Sequence, residues 1–398
     1  MMSVDAALAR LLAAVPAPPA VQTVPLGESL HHVLAETVFS AVTVPPSDNS
    51  AVDGYALRYA DLATHPEGLP VSQRIPAGAM PLPLAPGSAA RIFTGASVPE
   101  GADTVVMQEQ CTVQDDAETV LPTEARQGSN IRRQGQDIDA GAEVVAAGTR
   151  LTARHIGLLA SVGLAQVRVF RPLRVAVLST GDELAEPGEA LAPGQIYNSN
   201  RFLLCALLRE AGFVPVDMGR VADRRADTEA ALARAAAEAD LVLTTGGVSV
   251  GEEDHVRGAV LAQGALDLWR IAIKPGKPFA FGRVGEVPFM GLPGNPSAVL
   301  VTFMVLVLPW LRRAQCLAGD PHWPVTWLPA GFSVDKPGRR QEYLRVQVAG
   351  PAGAQQLVPH DNQSSGMLSS ACWAHGLAVV PAETSVAVGD RLAFLRFE

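Results

Sequence analysis

Cysteine is scarce in this chain: four residues in 398, at positions 111, 205, 316 and 372. They lie far apart and form no C-x-x-C pair. That argues against a zinc site, an iron–sulfur site or a disulfide framework, and leaves incidental thiols in a reducing cytosol as the expectation. The eight histidines do not gather either. With no H-x-x-x-H or H-E-x-x-H, His155, His255 and His360 are read as satisfied or exposed side chains. A G-x-S-x-G elbow and a Walker A loop are both missing, which sets aside serine-hydrolase and P-loop chemistry.

Long apolar runs are lacking too. The longest, Ala298 to Leu311, is broken by Thr302 and Pro309 and falls short of the roughly 18–20 residues of a membrane span, so a buried helix is expected. The N-terminus places Asp5 and Arg10 inside a Leu/Ala pattern, unlike the basic start and apolar core of a signal peptide. Positive charge is in deficit, with a net charge of −9. No nucleic-acid partner and no membrane partner are therefore expected, and the location reads as cytoplasmic. An anionic small substrate remains possible if a cation or a local Lys/Arg cluster bridges it.

What is present suits a folded chain of two to four domains. Apolar residues make up 48%, enough for several cores. Val4, Leu8, Leu11, Leu12 and Val15 fall at helical spacing after Ser3, a cap for an amphipathic helix. Residues 1–40 read as one or two helices around a Pro-rich gap at Pro16 to Pro19. Residues 41–137 alternate short β-rich runs with turns, as in a small β-domain. A helix near Thr152 to Ser161 and a strand from Gln166 to Phe170 follow.

From residue 171 the pattern changes again. Arg174 to Ser179 and Asp240 to Thr245 are continuous apolar runs, as in strands buried on both faces. Helical stretches from Ser199 to Ala211 and from Asp227 to Ala239 lie between them, with a strand near Val214 to Met218. Such alternation predicts a doubly wound α/β domain whose ligands sit at the carboxyl ends of the strands. After about residue 320 the chain turns loop-like and then alternates in a β manner to the end.

Several clusters could carry chemistry. Thr180-Gly181-Asp182-Glu183 follows a buried strand and offers hard oxygens to a metal, though an acidic helix start has the same look. The Thr245-Gly246-Gly247-Val248-Ser249 loop could cradle a phosphate or oxyanion with its N–H groups and hydroxyls, and it runs on to Glu252, Glu253 and Asp254. Lys274-Pro275-Gly276-Lys277-Pro278 pins two cations on a stiff loop. Repulsion disfavours that without an anion between them, though a solvated basic turn is the alternative. In Leu292-Pro293-Gly294-Asn295-Pro296, Asn295 is expected as helix N-cap with Pro296 at the first helical position, and an anion could sit at the same helix start. Asp48 to Tyr55 and Phe93-Thr94-Gly95-Ala96 are dense in turn formers, and Arg132 and Arg133 add two cations or a surface charge cluster.

In order along the chain, these segments resemble the molybdopterin molybdotransferase family, which includes the E domain of gephyrin. The matching stretches are Asp48 to Tyr55, Phe93 to Ala96, Ser179 to Leu184, Gly246 to Gly251, Lys274 to Pro278 and Leu292 to Pro296. The resemblance implies four domains. A helix-containing linking domain is split between residues 1–40 and 138–170. An inserted β-domain covers 41–137, an α/β molybdopterin-binding domain 171–320, and a C-terminal β-barrel 321–398. It implies a homodimer whose site lies between the α/β domain of one subunit and the inserted domain of the other.

It further implies an enzyme that inserts molybdate into adenylylated molybdopterin with Mg²⁺-dependent release of AMP, in transient contact with other molybdenum-cofactor biosynthesis proteins. Carried over, the catalytic set is Asp53, Thr94, Glu183, Asp223 and Asp254. The metal ligands come from Asp182, Glu183, Asp223 and Asp254. The substrate and oxyanion contacts are Lys274, Lys277, Ser249, Gly246, Gly247, Asn295, Pro293, Pro296, Arg345, Ser364 and Ser365. Val52, Gln134 and Gln136 depart from residues frequent in the family. Two rivals stay open: an adenylyltransferase acting one step earlier, and a scaffold of the gephyrin E-domain type.

Overall fold

The computed structural model describes residues 1–114, 119–247 and 255–397. Its centre is a six-stranded sheet in the spatial order Val214–Val221, Arg174–Thr180, Leu241–Thr245, Val287–Leu292, Pro278–Val284, Gly264–Arg270. The first four strands run parallel. The last two turn back antiparallel. Side chains alternate across a strand, and that alternation splits the domain into two cores. Val175, Val177, Leu241 and Leu243 enter one, against helices Ser199–Glu210 and Pro296–Ala314. Ala176, Leu178 and Val242 enter the other, against helices Arg225–Glu238 and His255–Gln263. Helices on both faces make the sheet doubly wound, as the apolar runs predict.

The expected buried helix runs Pro296–Ala314. It has the length and hydropathy of a membrane span, but 89% of that window is buried inside the protein. It is the core helix of the α/β domain. Pro309 has no N–H to give the preceding turn. The helix takes a π turn over Phe303–Val307 just before it, where Leu308 N–H donates to the Phe303 carbonyl.

The N-terminal helix, Val4–Ala13, is capped by Ser3 as the sequence suggests, with Ala6 N–H donating to Ser3 Oγ at 3.2 Å. Its apolar face, Val4, Ala7, Leu8 and Leu11, joins the core around the Pro296–Ala314 helix. One α-helix and a short 3-10 turn at Leu26–Glu28 form before residue 40. Past the Pro16–Pro19 gap, Val21–Pro25 is a strand paired antiparallel with Gln166–Phe170, which also pairs with Val33–Leu34. The β-branched Val21, Thr23 and Val24 favour that state once a partner strand is available. Helix Ala153–Ser161 and the buried Leu34, Leu151, Leu159, Val167 and Val169 complete this unit.

The inserted region carries its own sheet, ordered Thr104–Met107, Gly54–Leu57, Ala89–Ile92, Leu69–Ile75, Thr119–Pro122, Cys111–Gln114. Gly54 is obligatory there, because a Cβ would collide with the Val106 carbonyl oxygen. At the C-terminal end, strands Gln341–Ala349, Gly376–Val380, Arg391–Arg396 and Val325–Pro329 pair in succession. Gln356–Pro359 pairs with Gln341–Ala349, and a bridge from Ala330 to Leu357 joins the two ends. The sheet therefore closes on itself as a small barrel, which removes its free edges.

Candidate active site

Register delivers the ends of four parallel strands to one edge of the central sheet. Thr180 lies opposite Val221, Ser179 opposite Thr245, and Thr245 opposite Leu292. Asp182, Asp223, the Gly246-Gly247 turn and Pro293-Gly294 therefore leave the sheet on the same side. The antiparallel strand Pro278–Val284 starts there too, because Ala280 pairs with Gly291. That brings in the Lys274–Lys277 loop. The turns touch closely: Gly246 N–H donates to the Leu292 carbonyl at 3.2 Å, and Asn200 Nδ2 to the Gly294 carbonyl at 2.7 Å. Gly247 has φ +64°, and a Cβ on it would collide with Val256 Cγ2, so only glycine fits.

Of the acids expected around a metal, Asp182 and Asp223 meet, with Asp223 N–H donating to Asp182 Oδ1 at 3.3 Å. The Glu183 carboxylate folds back over Gly181, into the space that a Cβ on that glycine would need. Asp254 and Ser249 lie outside the described residues. Among the described residues no three His, Cys, Asp or Glu side chains gather to hold a metal. Arg201 braces the loop after Glu183, pairing with Glu186 and, at 3.3 Å, with Asp217. Spacing alone did not point to Arg201, because both of its partners are set by tertiary contacts.

The lysine loop differs from the sequence expectation. Lys274 Nζ donates to both carboxylate oxygens of Glu342 at 3.0 Å. Ile273–Lys274 pairs parallel with Gln341 and Glu342 at the start of the first barrel strand, which places the two charges side by side. One of the two cations thus has a carboxylate of the protein's own beside it. Lys277 is exposed and has no side-chain partner among the described residues.

Asn295 has the backbone of an N-cap (φ −74°, ψ 128°) but makes no side-chain cap bond, contrary to expectation. Its Nδ2 donates instead to Ser365 Oγ at 3.0 Å. A barrel loop does the capping: Ser297 N–H donates to the Ser365 carbonyl at 3.0 Å, and Ser297 Oγ–H to the Met367 carbonyl at 2.8 Å. Pro296 has no N–H to offer, so the Ser297 N–H is an early free donor of the helix.

Arg345, expected beside the oxyanion, is 1% exposed. Its Nε donates to Ser370 Oγ at 3.0 Å, and its Nη2 to the carbonyls of Ser364 at 3.0 Å and Asn362 at 3.4 Å. Burial lowers its pKa. A buried guanidinium needs such acceptors, and here they tie it to the Ser364-Ser365 turn.

The inserted domain forms a second focus. Asp53 Oδ1 accepts from Thr94 N–H and Thr94 Oγ1–H, both at 2.7 Å. The pairing of Gly54 with Ile92 puts these two residues at neighbouring strand ends. The Thr94 N–H and hydroxyl hold the Asp53 carboxyl below its ordinary range, with a smaller contribution from Arg91. Asp48 accepts from Gln134 N–H at 2.9 Å and pairs with Arg133, so the Arg133 charge is spent within the domain. The hydrogen-bond partners of Asp48, Asp53 and Thr94 all lie within residues 41–137.

Comparison with known proteins gives the frame for this geometry. The family model for the MoeA N-terminal region (domains I and II) matches residues 2–163. That for a probable molybdopterin binding domain matches 176–313, and that for the MoeA C-terminal region (domain IV) matches 328–397. The chain belongs to the MoeA family.

A relative from Haemophilus influenzae is 42% identical, over 81% of this chain and 79% of its own. A second, from a Nostoc species, is 37% identical, over 92% of this chain and 86% of its own. Each is named molybdopterin molybdenumtransferase. A solved structure of a molybdopterin biosynthesis MoeA protein from Pyrococcus horikoshii superposes with a TM-score of 0.81 at 31% identity, covering 100% of this chain and 99% of its own. The four-part architecture, with its α/β domain and C-terminal barrel, is thus the MoeA fold along the whole chain.

Proposed function

We propose that this MoeA-family chain is a molybdopterin molybdenumtransferase: a transferase of molybdenum-cofactor biosynthesis that joins molybdate to an adenylylated pterin dithiolene and releases AMP. The observation that carries the reading is the shared sheet edge, where Lys277, the Gly246-Gly247 turn, Asp182 and Asp223 converge in a chain whose relatives bear that name. Molybdate and the pyrophosphate are both anions, and they repel in a dry cleft. Lys277 offers its ammonium to molybdate. Lys274 is drawn partly from Glu342, since an exposed ion pair is worth only about 0–1 kcal/mol. The Ser364-Ser365 turn, held by Arg345 and Asn295, closes the site from the barrel side. The N–H groups of the glycine turn suit phosphate oxygens.

Mg²⁺ fits this chemistry because it takes one or two carboxylates and fills its shell with water and phosphate oxygens. Asp182 and Asp223, whose chain segments touch through the Asp223 N–H, would supply that pair, and Asp254 is a third candidate. When bound, Mg²⁺ neutralises charge that develops on the departing phosphate.

The homodimer with a shared site belongs to this proposal. Among the described residues, Asp53 and Thr94 face no hydrogen-bond partner outside their own domain. Tyr197 and Phe202, exposed at 46% and 49%, line one shallow apolar surface suited to a second copy. We place the enzyme in the cytoplasm, where its four free thiols stay reduced. The residue set covers the last step of the pathway, and transient exchange with an upstream pterin enzyme follows from the reactivity of the substrate.

The test is AMP release from adenylylated pterin by the purified protein with molybdate and Mg²⁺. Asp223→Ala is expected to slow it by two or more orders of magnitude, and Lys277→Ala to raise KM for molybdate. AMP formed from ATP and unmodified pterin, with none from the adenylylated compound, would establish the adenylyltransferase alternative instead.

A further inference from the structure

Beside Asp53 and Thr94, one face of the inserted β-domain carries two guanidinium groups that form no ion pair among the described residues. Arg74 stands opposite Arg91 in the parallel pairing of their strands, and Tyr55 stands opposite Arg91 on the other side. Strand alternation keeps these three, and Phe93 two residues beyond Arg91, on the same face. Each guanidinium carbon lies 4.6 Å from the centre of the Phe93 ring, so the two are no more than twice that distance apart. Arg91 also stacks on Tyr55 at 5.1 Å.

Like charges directly across a strand pair repel, and ring stacking offsets only part of that at an exposed site. The acceptors of Arg91 are neutral: the Gly54 carbonyl at 2.9 Å and the Gln108 side-chain oxygen. Arg74 is exposed and, apart from Phe93, has no partner among the described residues. A braced pair of guanidinium groups, Arg74 unpaired among the described residues and Arg91 keeping its unused N–H donors, suits an anion with several oxygens.

We propose that Arg74 and Arg91, braced on Phe93, bind the phosphates of the nucleotide half of the substrate. This rests on the function proposed above. The nucleotide end is held on the inserted domain, while the dithiolene end meets molybdate at the lysine loop. The phosphates are then gripped from two sides, by these arginines and by the glycine turn of the α/β domain. Arg74 and Arg91 are positioning and specificity residues; neither takes a proton or a covalent bond.

ADP serves as the probe, since it carries the nucleotide and the pyrophosphate without the pterin. On the full-length protein, Arg74→Gln and Arg91→Gln are each expected to weaken ADP binding about tenfold, as for lost charge-assisted contacts. They should raise KM for the adenylylated pterin by more than they lower kcat, and leave KM for molybdate unchanged. Arg74→Lys keeps a charge and recovers part of the loss. Arg74 is exposed, so its variants report on binding even if Arg91→Gln disturbs the Tyr55 packing.

ADP affinity and pterin KM that stay at wild-type values in Arg74→Gln overturn the inference. So does a wild-type protein that does not bind ADP. Intact ADP binding with a weakened dimer by sedimentation also overturns it, because the arginines would then be pairing with the partner subunit. A wild type that binds ADP through these arginines yet releases no AMP upholds the inference and sinks the molybdenumtransferase reading.

Discussion

Asp53 and Thr94 were named by motif, and in the structure they form one hydrogen-bonded pair. The carboxylate spends one oxygen on two Thr94 donors, so it stays ionised and oriented. Its pKa lies below the ordinary value, so the pair's contribution to stability is complete above the unfolded pKa of about 3.9 and is lost as pH falls through the lower folded value. Across neutral pH it should contribute a constant amount. In Thr94→Ala a carboxyl-carbon NMR titration should show the Asp53 pKa move up towards its ordinary value, with AMP release slowed about tenfold. A titration curve unchanged by the substitution contradicts the assignment of Thr94 as the cause. Arg345 makes a separate prediction. Arg345→Met strands the carbonyls of Ser364 and Asn362 and should cost about 1–3 kcal/mol in urea unfolding. It should also raise KM for molybdate through the loosened serine turn. A change in KM without a change in stability would mean that the guanidinium reaches the ligand itself.

At the scale of elements, alternation and helical spacing were the readable signals. The buried strands at Arg174–Thr180 and Leu241–Thr245 and the helices Ser199–Glu210 and Arg225–Glu238 lie close to the boundaries read from the sequence. One or two helices were expected in residues 1–40; beyond the Pro-rich gap strands formed, because Val21–Pro25 acquires its state from Gln166–Phe170, a partner far along the chain. The π turn at Phe303–Val307 was not readable, since it arises from how the core accommodates Pro309. Gly54 gives the element-scale test. Gly54→Ala drives a methyl into the Val106 carbonyl, so the strands must part and stability should fall by about 2–4 kcal/mol. A thermal melt that matches wild type would show that the pairing gives way at no cost.

Across the whole molecule, a shared apolar core and specific polar contacts join the units. Arg171, at the end of the linking unit, forks onto Asp240 at 2.7 and 2.9 Å, and Arg174 N–H adds a third bond at 2.7 Å. Burial alone would raise the Asp240 pKa; the Arg171 bonds and the Arg174 N–H outweigh it and lower it. This clamp is therefore fully present above the unfolded carboxyl pKa and weakens as pH falls through the folded one. Asp240→Asn should cost about 1 kcal/mol near neutrality, modest because a third of Arg171 meets water. The proposed shared site has its own test. Neither Asp53→Asn nor Asp223→Asn should be active alone, yet a mixture allowed to exchange subunits should recover about a quarter of wild-type activity, because each mixed dimer keeps one intact site. No recovery would place both acids in a site within one subunit.

The sequence by itself determined most of the order of elements, the two-faced burial of the central strands and the glycine- and proline-rich turns at their ends, because these follow from periodicity and from residues that act locally. Tertiary structure decided which groups meet. Glu342 reaches Lys274 by a register between two domains, and Ser365 draws Asn295 away from its own helix. Arg345 turns inward to hold a loop, and the first helix joins a core built mostly from the distant α/β domain. Each of these depends on pairing between distant segments, and no local pattern encodes where such segments come to lie.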